Sequence, residues 1–151
     1  MHKLLLRNRL VVWLYLITFG HFAAGILLAW FSHLAIFDHY HLTILNQVGD
    51  TSVGARQLNS WWLSLFGATL QNLAILMGVL IFAANRHGKA YIWLWMIIGL
   101  LVWAPQDMLI SMQLNLRLHL WVDAIALLLL LPPLVILYWI DSKASRASSN
   151  N

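Results

Sequence analysis

The sequence has no cysteine, few charged residues and few prolines. Of its 151 residues none is cysteine, 9% are charged and three are proline. Without cysteine the chain can form no disulfide, thiolate metal site or thiol nucleophile, and it can carry no palmitoyl or prenyl group. About a quarter of the residues of a typical soluble domain are charged. The scarcity of charge therefore argues against an ordinary soluble protein.

Long hydrophobic runs fill most of the chain, which is 62% hydrophobic. A helix needs about 20 apolar residues to span a bilayer. Four segments meet this length, at about 10–32, 60–84, 91–112 and 118–140. The first run is longer than the core of a secretory signal, so it is expected to be retained as a helix. Unbroken runs such as 124–131 exclude the alternating pattern of a membrane β-barrel.

These runs predict an all-α fold, an integral membrane four-helix bundle that forms one domain over residues 1–141. Residues 33–59 are predicted to form an outer loop, whose first part is apolar enough to lie on the membrane surface as a short helix. The polar segment 142–151 is predicted to be a disordered cytoplasmic tail.

The basic residues predict the orientation of the bundle. If the helices alternate in direction, seven of the nine Lys and Arg residues lie on one side: Lys3, Arg7, Arg9, Arg86, Lys89, Lys143 and Arg146. Cytoplasmic loops carry such an excess, so both termini are expected in the cytoplasm, in the inner membrane if the source is bacterial. The net charge of +4 is then a topology signal. It indicates contact with lipid headgroups and no nucleic-acid partner.

The segment between Trp103 and Asp123 carries the densest group of ionisable residues within the apolar runs. With a turn near residues 113–114, an antiparallel hairpin brings Asp107 level with His119. Asp123 follows His119 by four residues and shares its helix face. We expect the three to converge as catalytic or ligand-binding candidates. Arg117 is a further ligand-binding candidate, and Arg117 or His119 is the expected partner of Asp107. Such a group suits acid–base chemistry, a proton relay or a metal site, and it equally suits a salt bridge that locks the hairpin.

Other polar residues extend this candidate site. Trp103 could form a wall of a cavity beside the cluster, and Gln71, Asn72 and His21 lie deeper in the predicted helices as further ligand-binding candidates. Hydrogen bonds between helices explain the two amides equally well, and His21 is favoured as a neutral imidazole bonded to Thr18 or to a polar group of the next span.

The outer loop contains a compact Asp-His-x-His pattern. Asp38, His39 and His41 are candidate metal ligands if the backbone is extended there. They lack a fourth partner, so a solvated interfacial face is the favoured interpretation and no metal is predicted.

Two main functions remain open at this point, and whether the protein is an enzyme is undecided. The first is a polar pocket, open toward the outer leaflet, that binds a small amphipathic or lipid-like ligand. The second is a non-catalytic accessory or assembly subunit that docks on a membrane-protein partner or forms a homo-oligomer. Ion or proton transport is less favoured because the chain shows no internal repeat. No cofactor is predicted, since His21 and His119 lie at different depths and do not suit one haem.

Overall fold

The protein folds as a bundle of long helices. The computed structural model describes residues 2–149, with side chains for residues 3–145. Within this part the chain forms five α-helices, one short 3-10 turn and no strand. In chain order these are α1 (His2–Phe31), the 3-10 turn (Ala35–Phe37), α2 (Asp38–Val48), α3 (Val53–His87), α4 (Ala90–Gln113) and α5 (Arg117–Ser149). The helices α1, α3, α4 and α5 are long and apolar enough to cross a membrane. The predicted all-α four-helix bundle of a multi-pass membrane protein is thereby confirmed.

The four long helices form a square. Helix α1 packs mainly on α3, and α4 packs mainly on α5. Further contacts join α1 to α5 and α3 to α4, while the described backbone shows no close approach across either diagonal. Neighbouring helices are antiparallel. We call the end with the starts of α1 and α4 the terminal end, and the opposite end, with α2 and the α4–α5 turn, the loop end.

Three helices extend well beyond the predicted hydrophobic segments. Helix α1 begins at His2, before the predicted start near residue 10. Helix α3 begins at Val53, inside the predicted outer loop, because the Ser52 side chain accepts a hydrogen bond from the Ala55 backbone N–H and caps it. Helix α5 continues to Ser149, into the segment expected to be disordered. The buried Asp141 holds the preceding turn, and the Ser145 hydroxyl donates to the Asp141 carbonyl. Residues 150 and 151 of the predicted tail lie outside the described part.

The apolar core lies in the terminal half of the bundle. Its buried cluster draws on all four long helices and comprises Val11, Leu14, Ile81, Ala84, Trp93, Met96, Ile97, Leu130, Leu134 and Leu137. The loop half buries more polar side chains, among them Ser32, His41, Ser111 and Asp123. The bundle is therefore packed like a conventional core at one end and is polar at the other.

A charged network ties the four long helices together at the terminal end. The guanidinium of Arg7 in α1 donates to both carboxylate oxygens of Asp141 in α5, at 2.8 and 3.1 Å. The same guanidinium donates to the side-chain oxygen of Asn85 in α3, and the indole N–H of Trp93 in α4 donates to Asp141 at 2.9 Å. Only 5% of the Asp141 side chain and 14% of the Arg7 side chain are exposed. The sequence analysis treated Arg7 only as a topology signal and did not anticipate this network.

Glycine allows α1 and α3 to approach until their backbones touch. A Cβ atom at Gly67 would lie 2.4 Å from the Ala29 backbone nitrogen and 2.7 Å from the Gly25 carbonyl oxygen. Real Cβ atoms do not occupy such positions. Close approach through small residues is a common way to pack helices in membranes. At the same crossing the Gln71 side chain donates to the Gly25 carbonyl, which accounts for Gln71 as a packing residue.

The two adjacent prolines of α5 leave a carbonyl without its usual partner. Pro133 has no N–H to give to the Leu129 carbonyl four residues earlier. The indole N–H of Trp13 in α1 donates to that oxygen at 3.0 Å. The Leu129 carbonyl thus finds a partner on another helix, and helix α5 continues through Pro132 and Pro133.

Replacing Arg7 by Met is expected to lower the free energy of unfolding by about 3 kcal/mol, the lower end of the cost of breaking a buried ion pair. The reason is that Asp141 stays buried without its cation. The matched control is Arg9→Met, because Arg9 is exposed in the same turn of α1. Its effect is expected to stay within about 0.5 kcal/mol. Unfolding in mixed detergent micelles, followed by circular dichroism, measures both. Equal effects of the two variants would contradict the network's role.

Candidate functional site

A tight turn between α4 and α5 places the candidate residues side by side. Asn115 adopts a left-handed conformation, with φ of 55°, which Asn tolerates better than most side chains. The Leu116 backbone N–H donates to the Ser111 carbonyl at 2.9 Å and closes the turn. Helix α5 then begins at Arg117, so His119 lies in its first turn and Asp123 one turn deeper, opposite Asp107 of α4.

Asp107, His119 and Asp123 converge, and we call these three residues the loop-end centre. One ligand atom from each side chain lies within 4.8 Å of one from each of the others. The Nε2 of His119 is 3.6 Å from Oδ1 of Asp107. This separation is longer than a hydrogen bond. The spacing argument from the sequence therefore placed these three residues correctly, while leaving their role open.

Asp123 is the most enclosed member of the loop-end centre. The residue is 2% exposed, whereas the side chains of Asp107 and His119 are 24% and 28% exposed. Its Oδ2 is buried and has no hydrogen-bond partner within the described structure. An unsatisfied polar atom in a hydrocarbon environment costs several kcal/mol. The centre is thus built to receive a hydrogen-bond donor or a positive charge.

Of the two partners considered for Asp107, the structure places His119 beside it. Arg117 is exposed at the first position of α5. No ion pair joins it to Asp107 in the described residues. The reason is helical periodicity: Arg117 precedes His119 by two residues and so lies on another face of α5. Arg117 is corrected from a site residue to an exposed residue of the loop end.

Helix α2 covers the centre. Its residues Tyr40, Thr43, Ile44 and Gln47 line a cavity of about 20 Å³ together with His119 and the start of α5. The amide of Gln47 donates to the Asn115 carbonyl at 2.9 Å and holds α2 to the α4–α5 turn. A cavity of this size has room for about one water molecule. Sequence reasoning missed these residues, although their spacing of three, four and seven marks one helix face.

Comparison with known protein families, curated proteins and solved structures finds no match. The chemistry of the site therefore follows from its own residues.

The Asp-His-x-His pattern holds α2 in place and does not converge on one point. Asp38 forms an ion pair with Arg56 of α3. His41 is buried; its Nε2–H donates to the Ser32 carbonyl at 2.7 Å, and its Nδ1 accepts from the Asn59 amide at 2.9 Å. His39 is exposed. Both ring nitrogens of His41 are therefore engaged in hydrogen bonds.

The deeper candidates have other roles or positions. His21 donates from Nδ1 to the Ile17 carbonyl at 2.8 Å within α1, and not to Thr18 or to α3. Asn72 is exposed on the face of α3 that points away from the bundle. It points away from Gln71 because adjacent helical residues are rotated by about 100° from each other, and neither amide belongs to the loop-end centre. Trp103 is 40% exposed and lies one turn before Asp107 on the same side of α4.

The loop-end centre combines two carboxyl groups and one imidazole, of which the most buried group is unsatisfied. Such a set can exchange protons with a bound molecule or hold a cation. It is accessible from outside through Asp107 and His119, and the exposed Trp103 and Val122 are its apolar neighbours along α4 and α5. The site therefore has a polar base and apolar surroundings.

Tyr40 reports on the loop-end centre through its pKa. Burial raises the pKa of the Tyr40 hydroxyl, and the nearby negative charge of Asp107 raises it further. The stability that the protonated Tyr40 contributes is complete below about pH 10, the ordinary tyrosine pKa. It is lost as the pH rises through the raised pKa.

Replacing Asp107 by Asn is expected to lower the pKa of Tyr40 part of the way toward its ordinary value, because the effect of burial remains. The absorbance titration of each protein minus that of its Tyr40→Phe counterpart measures this. The control is Asp38→Asn in α2, and a Tyr40 curve that does not respond to Asp107→Asn contradicts the contact.

Proposed function

We propose that the protein is a membrane protein that binds a small amphipathic, lipid-like molecule at the loop-end centre. The single observation that carries the proposal is the buried Oδ2 of Asp123, which has no hydrogen-bond partner among the described residues. It lies close to Asp107 and His119. A ligand that supplies a donor or a positive charge there removes an energetic penalty of several kcal/mol.

The surroundings of the centre support an amphipathic ligand. The adjoining cavity of about 20 Å³ is far smaller than the 300–1,000 Å³ or so of pockets that enclose small molecules. The proposed ligand therefore inserts only its polar head, which passes the partly exposed Asp107 and His119 to reach the Oδ2 of Asp123. Its apolar part lies along exposed apolar surface such as that of Trp103, one turn from Asp107 in α4, within the lipid.

The proposed orientation puts both termini in the cytoplasm. Seven of the nine basic residues lie at the terminal end or in its connections, as the positive-inside rule requires. The loop-end centre then faces the outer leaflet, and a ligand would enter from that leaflet. In a bacterium the membrane is the inner one.

The test is mass spectrometry of the protein after gentle extraction into lipid nanodiscs. The expected result is a small molecule bound in stoichiometric amount to the unaltered chain and lost from Asp107→Asn and Asp123→Asn. The control is Asp38→Asn, a loop-end aspartate outside the centre, which is expected to keep the molecule. If the two site variants accumulate normally and still carry it, the proposal is wrong. If they merely fail to accumulate, the centre is a hairpin lock and the proposal is again wrong.

A second candidate function, an accessory subunit of a larger membrane complex, is favoured by Asn72. This amide lies near the middle of a spanning helix, and its neighbours one turn away, Ala68 and Leu76, are also exposed. A polar side chain facing lipid gains about 0.6–2 kcal/mol from a hydrogen bond to another helix. A partner protein or a second copy of the chain would provide that bond.

Replacing Asn72 by Leu tests this alternative. If the protein is an accessory subunit, the variant loses a stoichiometric partner that the unaltered protein retains during purification without crosslinking. The matched control is Thr69→Val, because the Thr69 hydroxyl already donates to the Leu65 carbonyl within α3. Partner retention in both variants, or the lack of any stoichiometric partner, contradicts the accessory role.

A further inference from the structure

We propose that Asp107, His119 and Asp123 hold one divalent transition-metal ion, of which Zn²⁺ is the reference case. The inference rests on the proposed function in one respect, that the loop-end centre is the working site. It adds that the positive charge required there is supplied by a metal ion, which the polar head of the ligand then coordinates.

The distances match two ligands of one ion better than an ion pair. Two atoms bound at about 2.1 Å to a tetrahedral zinc lie about 3.4 Å apart. The 3.6 Å between His119 Nε2 and Asp107 Oδ1 is close to that value and is too long for a hydrogen bond. A point central to three atoms that lie within 4.8 Å of one another is at most about 2.8 Å from each. Small side-chain rotations therefore bring all three to bonding distance.

A second and independent observation points to a ligand at the same place. Asp123 is 98% enclosed, being 2% exposed, and its Oδ2 has no partner. Asp107 and His119 are the titratable groups that face it from α4 and from its own helix. Neither offers a permanent positive charge. The two negative charges of the carboxylates equal the positive charge of a divalent cation. Such an ion therefore neutralises the charge that burial makes unfavourable.

The donor set also indicates the class of metal. One imidazole and two carboxylates without thiolate suit Zn²⁺, Mn²⁺ or Fe²⁺ better than Cu⁺. Three protein ligands leave at least one coordination position for water or for another molecule, as in catalytic zinc sites. The cavity lined by His119, Tyr40 and Gln47 has room for about one water, and the outer side is accessible through the exposed parts of Asp107 and His119.

The experiment uses the full chain without a polyhistidine tag, stripped of metal by a chelator and dialysed in detergent against Zn²⁺. The expected result is one Zn²⁺ per chain, with affinity reduced at least about tenfold in His119→Gln and Asp123→Asn, the least that loss of even an outer partner costs a metal site. The matched controls are His39→Gln and Asp38→Asn, which are expected to bind Zn²⁺ as the unaltered protein does. No retained Zn²⁺, or equal loss in the controls, overturns the inference.

X-ray absorption of the zinc-loaded unaltered protein gives a test that needs no variant to fold. A first shell with one imidazole and oxygen ligands supports the loop-end centre. A shell with two imidazoles assigns the ion to the histidines of α2 and overturns the inference. The metal site and the proposed function can fail separately. If the protein has no zinc affinity and a lipid-like molecule stays bound after chelator treatment, the metal site alone is refuted. A protein that binds one zinc but no such molecule refutes the proposed function alone.

Discussion

The ion pair between Arg7 and Asp141 is the constraint on which the bundle depends. Both side chains are largely buried at the terminal end of the bundle, and a buried charge is costly unless it is paired and hydrogen-bonded. Asn85 and Trp93 complete the hydrogen bonds, so each of the four long helices contributes one residue. The pairing fixes the rotation and the depth of the helices together. The apolar core packs directly beside this network, because Trp93 belongs to both.

The two ends of the bundle treat buried charge in opposite ways. At the terminal end Asp141 has a bidentate partner and a further indole donor. At the loop end Asp123 is equally buried but keeps an oxygen without a partner. The contrast distinguishes a buried aspartate whose oxygens are both paired from one that, within the described residues, keeps an unpaired oxygen.

The parts that sequence reasoning predicted are those that depend on local spacing. The spans follow from the length of apolar runs, and the meeting of Asp107, His119 and Asp123 follows from helical periodicity and a short turn. The Arg7–Asp141 ion pair was not predicted because 134 residues separate its members and because Asp141 closely precedes a polar tail. The exposed position of Asn72 was not predicted. Both faces of a helix that spans lipid are apolar, so hydropathy does not show which face points into the bundle. Helix α3 began earlier than predicted because hydropathy does not detect helical turns that extend beyond the membrane.

Helix α2 joins the two helix pairs at the loop end. His41 bonds it to the end of α1 and the start of α3, and Gln47 bonds it to the turn between α4 and α5. Helix α2 therefore connects the two helix pairs across the loop end of the bundle, and the Arg7–Asp141 network connects them at the terminal end. The link at the loop end runs through side chains of α2, whereas at the terminal end Arg7 and Asp141 link the two pairs directly.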